Sequence, residues 1–404
     1  MTTFKKKKLE SKIVAIIDNW SYKTRVAICE YSSENIKLLG FAEKRQSNED
    51  IINNEIKNLE WVAENIALAV KKAETNANIK ADKMAINPVF WDTFFYSKNT
   101  NHIRKDKYKL IDEPELKEII NKVEEINYYS ATKKIYKDYL YPTSDLDIIV
   151  SNVSEIKIDW EIIKDPLQQN WEIITFNLLN IFLSKNNIEL LNYISKYLKK
   201  DLVKILPEEF CLSKIWEKKK EVTIIDIWNS SSYITVKDSS WNIFWSLKIN
   251  VWIESLIKKI QENSDFSRAE IIKKINRDDF FIKEKKEFLD IYVFLIAQNL
   301  KEIMWDNITP NNFFIIGWGW NNAFFKNYIE KYDFSKFIKI KPKLKFIIPN
   351  ISKIWKIDNV EEILNKSNLN LIAMILTYRY IIRHSEDKVE LFLKESIKEI
   401  IKNN

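Results

Sequence analysis

Two stretches of the chain repeat one pattern, and this repetition narrows the fold more than any other feature. Lys12 to Asp18 is an apolar, β-branched run that breaks at Asn19, Trp20, Ser21 and Tyr22. A second run follows from Thr24 to Cys29, and a third strand from Ile36 to Ala42. Glu221 to Asp226 opens the second copy, which breaks at Ile227, Trp228, Asn229 and Ser230. Its later strands are Ser232 to Val236 and Asn242 to Lys248. Each copy reads strand, Asp-x-Trp turn, strand, turn, strand. Each is followed by a helical pattern. Val62, Ile66, Ala69, Val70 and Ala73 share one helix face in the first copy, and Val251 to Ile260 is the counterpart in the second. A duplicated unit of this kind predicts two related α/β domains.

Composition matters here through one anomaly. The 404 residues hold 3 glycines and 14 tryptophans, where average usage near 7% predicts roughly 28 glycines. Turns with positive φ and close backbone approaches call for glycine. Several tryptophans stand at such places. Trp241 follows Asp238, Ser239 and Ser240 between two strand-like runs. Trp318 and Trp320 alternate with Gly317 and Gly319, after the apolar run Phe313 to Ile316 and before a helical pattern. Some bacteria read UGA as glycine where another table reads tryptophan. The expectation is that most of the 14 tryptophans are UGA-encoded glycines.

Charge and cysteine usage exclude some classes. The net charge of +7 comes from 64 basic and 57 acidic residues spread along the chain. That distribution predicts mixed solvated faces and no nucleic-acid partner. Lys5 to Lys8 read as a solvated terminus. Cys29 and Cys211 form no disulfide or metal pattern, which suits a cytoplasmic protein. No apolar run is long enough for a signal peptide or a membrane span. His102 and His384 lack partners at metal-ligand spacing and read as ordinary surface or interface residues.

An apolar strand ending in Asp-x-Gly, with hydroxyls in the turn, makes a phosphate hairpin. Glycine lets backbone N–H groups approach phosphate oxygens, and the Asp holds hydrated Mg²⁺ through water. One copy is a weak signal; two at equivalent places are strong. The run Gly317, Trp318, Gly319, Trp320 and Asn321, read with glycines, is a turn on which a base or ribose lies before a helix.

Two such hairpins and a late glycine-rich loop resemble the actin, Hsp70 and sugar-kinase superfamily. Within it the chain resembles FtsA, the bacterial division actin. Lys72 to Trp91 is similar to that family's entry into an inserted subdomain. Ile158 to Trp160, Asp165-Pro166 and Asn170-Trp171 resemble its exit. Val251-Trp252 matches a paired-glycine region in part, and Asn368 to Tyr378 a late apolar helix. The resemblance implies an α/β, actin-like or ribonuclease H-like duplicated fold, with two lobes around a nucleotide cleft and an inserted α+β subdomain in the first lobe. The first lobe would comprise 11–82 and 164–220 around an inserted subdomain at 83–163. The second would comprise 221–257 and 301–358 around a small helical insertion at 258–300. A return helix would occupy 359–384 and an amphipathic tail 385–404.

The resemblance further implies ATP and Mg as cofactors. Asp18, Trp20 and Ser21 would form the first phosphate hairpin, and Asp226, Trp228, Asn229, Ser230 and Ser231 the second. Gly317, Trp318, Gly319, Trp320 and Asn321 would flank the adenosine, and Glu270 with Lys273 would contact ribose and base. Asp18 and Asp226 would act as the catalytic, Mg-holding pair of a weak ATPase. Asn229-Ser230 departs from the family's preference for glycine or threonine, which puts efficient hydrolysis in doubt. Glu208 and Glu209 occupy the region from which water would be positioned. The implied role is a polymerising adaptor that tethers the division ring at the inner membrane face. Its partners would be the tubulin-like protein FtsZ, its own polymer, and lipid. Lipid contact would use the C-terminal helix, whose apolar face carries Val389, Phe392, Leu393, Ile397, Ile400 and Ile401; the same face could instead pack on the first lobe. A PilM-like, nucleotide-binding scaffold of a type IV pilus is the alternative.

Overall fold

The computed structural model describes residues 11–47, 49–52, 55–88, 90, 92–216, 220–227, 232–239, 243–249, 253–275, 277, 279–305, 307–317, 323–340, 344–347, 357–363 and 368–403. The chain divides into two compact units, Met1–Glu217 with Asn350–Asn404, and Lys218–Pro349.

The first unit is built on a sheet whose centre is β1 (Lys12–Asn19). Val14 to Ile17 are wholly buried, as expected for a strand covered on both faces. β1 pairs antiparallel with β2 (Lys23–Tyr31), which pairs with β3 (Ile36–Arg45). After the small hairpin β4–β5 (Ile51–Ile52 and Glu55–Ile56), helix α1 (Leu59–Ala77) crosses to β6 (Lys83–Ile86), parallel to β1. Val62, Ile66, Ala69, Val70 and Ala73 are the buried face of α1, as their spacing predicts. Gly40 on β3 lies against that helix. A Cβ there would sit 2.4 Å from the Ala73 carbonyl oxygen, so no larger residue fits.

A second sheet follows in the same unit. Its order is β7 (Phe94–Ile103), β10 (Ile173–Ser184), β8 (Leu146–Ile158), β9 (Glu161–Ile163). Helix α2 (Glu113–Tyr139) packs on it through Leu116, Ile119, Ile120 and Val123, against Ile174, Phe176 and Leu178. The inserted subdomain therefore runs from Phe94 to Ser184, not 83–163. Lys83–Ile86 belongs to the first sheet, and the long apolar strand β10 is the spine of the second. Helix α3 (Lys185–Leu198) then leads to β11 (Asp201–Ile205), parallel to β6, and α4 (Glu208–Lys214) ends the segment.

The second unit repeats the strand pattern. β12 (Val222–Ile227), β13 (Ser232–Lys237) and β14 (Ile243–Ile249) are antiparallel neighbours. α5 (Ile253–Glu262), α6 (Arg268–Lys274) and α7 (Ile282–Met304) form the expected helical stretch. β15 (Asn312–Gly317) then returns parallel to β12, with α8 (Ala323–Lys331) and β16 (Lys345–Phe346) after it.

The chain closes in the first unit. β17 (Ile357–Asp358) pairs with β3. Helix α9 (Leu369–His384) is buried from Leu369 to Arg379. Tyr31 donates its hydroxyl to the Ile375 carbonyl, and Arg379 donates to the carbonyls of Ser33 and Asn35 at 2.9 and 2.8 Å. Helix α10 (Lys388–Asn403) turns its apolar face inward. Leu393 is buried, and Val389, Phe392 and Ile397 pack on the core that α2 covers. Lys117 pairs with Glu395 at 2.7 Å, and Lys388 with Glu113. The tail's amphipathic face is thus seated on the inserted subdomain of its own chain. Among the described residues, no helix is long and apolar enough to cross a membrane.

Candidate functional site

The first hairpin joins β1 to β2. Strand register places Asp18 directly opposite Arg25. Both are buried, and the Arg25 guanidinium Nη1 donates to Asp18 Oδ2 at 2.7 Å. The other carboxylate oxygen accepts from the Trp20 indole N–H at 2.5 Å and from Asn87 Nδ2 at 3.2 Å. Burial pushes the Asp18 carboxyl up from its ordinary range, while Arg25 and the indole hold it back. Asn19 is fixed around the same point. Its N–H donates to Asn87 Oδ1 at 2.7 Å, and its Oδ1 accepts from Thr24 and Gln46. The Trp20 N–H closes the turn on the Lys23 carbonyl at 3.0 Å. Ser21 is partly exposed at the tip.

Asp18, Trp20 and Ser21 are therefore brought together, and two further residues join them that sequence reasoning missed. Arg25 carried a signal: in a tight antiparallel hairpin it falls across from Asp18. Asn87 carried none, because only the parallel pairing of β6 with β1 brings it there. Helix α4 lies alongside. Burial pushes the Cys211 thiol up, and both Asp18 and Glu209 act on it electrostatically. Glu208 is buried at the start of that helix.

With tryptophan at position 20, a phosphate does not fit this hairpin. The buried indole covers the carboxylate that would face a hydrated cation. Glycine at position 20 removes that ring and leaves Asp18, Arg25 and the turn's backbone amides.

The second unit holds an equivalent strand end. Asp226 is buried, next to Ile227, where β12 runs parallel to β15 and pairs Ile227 with Gly317. Gly317 has φ +74°, and a Cβ there would meet the Ile227 carbonyl oxygen at 2.1 Å and Asp226 Oδ1 at 3.0 Å. Only glycine fits such a position. Burial raises the Tyr292 hydroxyl, with Ser232 and Asp226 acting on it from nearby. The second Asp and the start of the glycine-rich run are thus neighbours. Trp228, Asn229, Ser230, Ser231, Trp318, Gly319, Trp320 and Asn321 lie outside the described residues.

Glu270 and Lys273 behave differently. Glu270 accepts from the Ser267 N–H at 2.9 Å and from its hydroxyl at 2.7 Å, forming the capping box of α6. Lys273 is exposed in the last turn. The pair serves the helix here. His102 and His384 are partly buried, and His384 Nδ1 lies 2.8 Å from the Tyr380 carbonyl. Among the described residues, no cluster of metal-ligating side chains occurs.

The antiparallel triplet with a parallel return strand, present in both units, gives the chain the actin-like ATPase fold. Solved structures bear this out. The PilM component of a PilM-PilN type IV pilus biogenesis complex is similar at 8% identity, with a TM-score of 0.59 over 91% of this chain and 98% of that one. MreB 5 of Spiroplasma citri, bound to AMPPNP, is similar at 11% identity, with a TM-score of 0.50 over 94% and 99% of the two chains. No protein-family model matches the sequence, and neither does any curated protein.

Proposed function

We propose that this chain is an ATP-binding actin-like scaffold whose two Asp hairpins bind phosphate and whose Gly317 run lies against the nucleoside. The observation that supports it best is the duplicated strand end, Asp18 in one unit and Asp226 beside Gly317 in the other. Arg25 would neutralise phosphate charge, and Asp18 and Asp226 would hold Mg²⁺ through water. ATP with Mg²⁺ supplies a phosphoryl group that such sites transfer slowly, by positioning rather than by a strong base. The proposal includes glycine at positions 20, 228, 318 and 320, encoded by TGA.

Within that class we propose a division adaptor of the FtsA type, forming polymers that link FtsZ to the inner membrane face at the division site. A second reading is a PilM-like pilus scaffold, and the extent of the likeness to PilM favours it. The two differ in membrane attachment. An adaptor that binds lipid through its tail must free α10 from the inserted subdomain. Co-sedimentation with anionic liposomes, with and without ATP, should then bring down the full chain but not a truncation after His384. Equal behaviour of the two chains would exclude tail-borne tethering and leave the scaffold reading.

A further inference from the structure

Helix α2 (Glu113–Tyr139) buries one apolar face and leaves large apolar side chains on the other, among charged ones. The first face is buried against the second sheet through Leu116, Ile119, Ile120, Val123, Ala131 and Ile135. The opposite face carries Ile126, Tyr129 and Tyr136, with Leu140 at its C-cap, exposed by 48, 56, 55 and 76%. Their spacing, with Lys133 between, is that of a heptad seam. At about 1.5 Å per residue the stripe is roughly 20 Å long. A chain that stays single seldom leaves so continuous a row of large side chains open to water.

Charge along the same face says what covers it. Ahead of Tyr129 lie Glu118, Lys122 and Glu125, and Glu118 is already paired with Lys122 at 2.5 Å. Beyond Tyr129 lie Lys133 and Lys137. With that pair formed, Glu125 is the net charge ahead of Tyr129, and the face is basic beyond it. A parallel copy would set Glu125 beside Glu125 and Lys133 beside Lys133. An antiparallel copy centred on Tyr129 sets Glu125 level with Lys133 of its partner, and Lys122 level with the Tyr136 ring.

We infer that α2 is a self-docking surface, on which a second copy of this chain binds antiparallel about a two-fold axis at Tyr129. The inference is independent of the nucleotide reading. Specific interfaces bury roughly 1,200–2,000 Å² in total, and one helix pair lies at the lower end, so a weak, concentration-dependent dimer is expected.

Sedimentation equilibrium of the full chain tests it. Wild type should shift from monomer to dimer with rising concentration. Glu125→Lys and Lys133→Glu should each weaken the dimer about tenfold through like-charge contact. The double reversal should restore it, because each helix then again offers opposite charges to its partner. Cys29 and Cys211 are buried, so Tyr129→Cys should give a disulfide-linked dimer under mild oxidation. A chain monomeric at every concentration would overturn the proposal and leave the stripe to a different protein. A double variant no tighter than the single ones, or a dimer that Tyr129→Cys fails to link, would also overturn it.

Discussion

At the scale of single residues, tryptophan stands where backbone geometry asks for glycine. Trp160 has φ +80° and is 76% exposed. Trp305 caps α7 with φ +50°, ψ −112° and is 82% exposed. Side chains with a Cβ are strained in these regions, and neither indole recovers the strain by burial. Trp160→Gly and Trp305→Gly should therefore each stabilise the fold by about 1 kcal/mol, read from the urea midpoint at unchanged slope. Two destabilised variants would count against glycine as the native residue at both sites. Trp171 is different: it is buried with the Arg104 guanidinium 4.7 Å from its ring centre. The composition anomaly therefore does not resolve alike at every position.

Among elements, the inserted subdomain carries a buried acid with a consequence for pH. Glu124 of α2 accepts from Asn180 Nδ2 at 2.7 Å. Burial raises its carboxyl to about 7, against roughly 4.3 when unfolded. Between those values the folded chain holds a proton that the unfolded chain has lost. Stability therefore falls as pH rises through this window, by up to about 4 kcal/mol, and levels off above it. Glu124→Gln should flatten the slope in denaturation measured from about pH 4 to 8. An unchanged slope would place the titration elsewhere.

Elements also show how far the sequence was legible. The repeated triplets, the buried face of α1 and the helical stretch after β14 follow from periodicity, because each buries one face against one neighbour. The subdomain's limits did not. Ile173–Ser184 reads as an apolar strand, and only its pairing with β7 and β8 tells which sheet it joins. The sequence leaves the seat of α10 open between lipid and protein, since an amphipathic helix suits either. Its burial of Leu393 and the Lys117–Glu395 pair come from distant segments. A cationic residue in a strand usually faces water, so only the hairpin register points to Arg25, which here faces Asp18.

For the whole molecule, the actin-like fold duplicates a strand end, Asp18–Asn19 on β1 and Asp226–Ile227 on β12. The central proposal is that these strand ends bind the phosphates of ATP. It is tested most directly by titration calorimetry of ATP with Mg²⁺ into the chain carrying Trp20→Gly, Trp228→Gly, Trp318→Gly and Trp320→Gly. Saturable one-to-one binding is expected, weakened at least about tenfold (about 1.4 kcal/mol) by Asp18→Ala and again by Asp226→Ala. No binding, or an affinity that neither substitution changes, would contradict it.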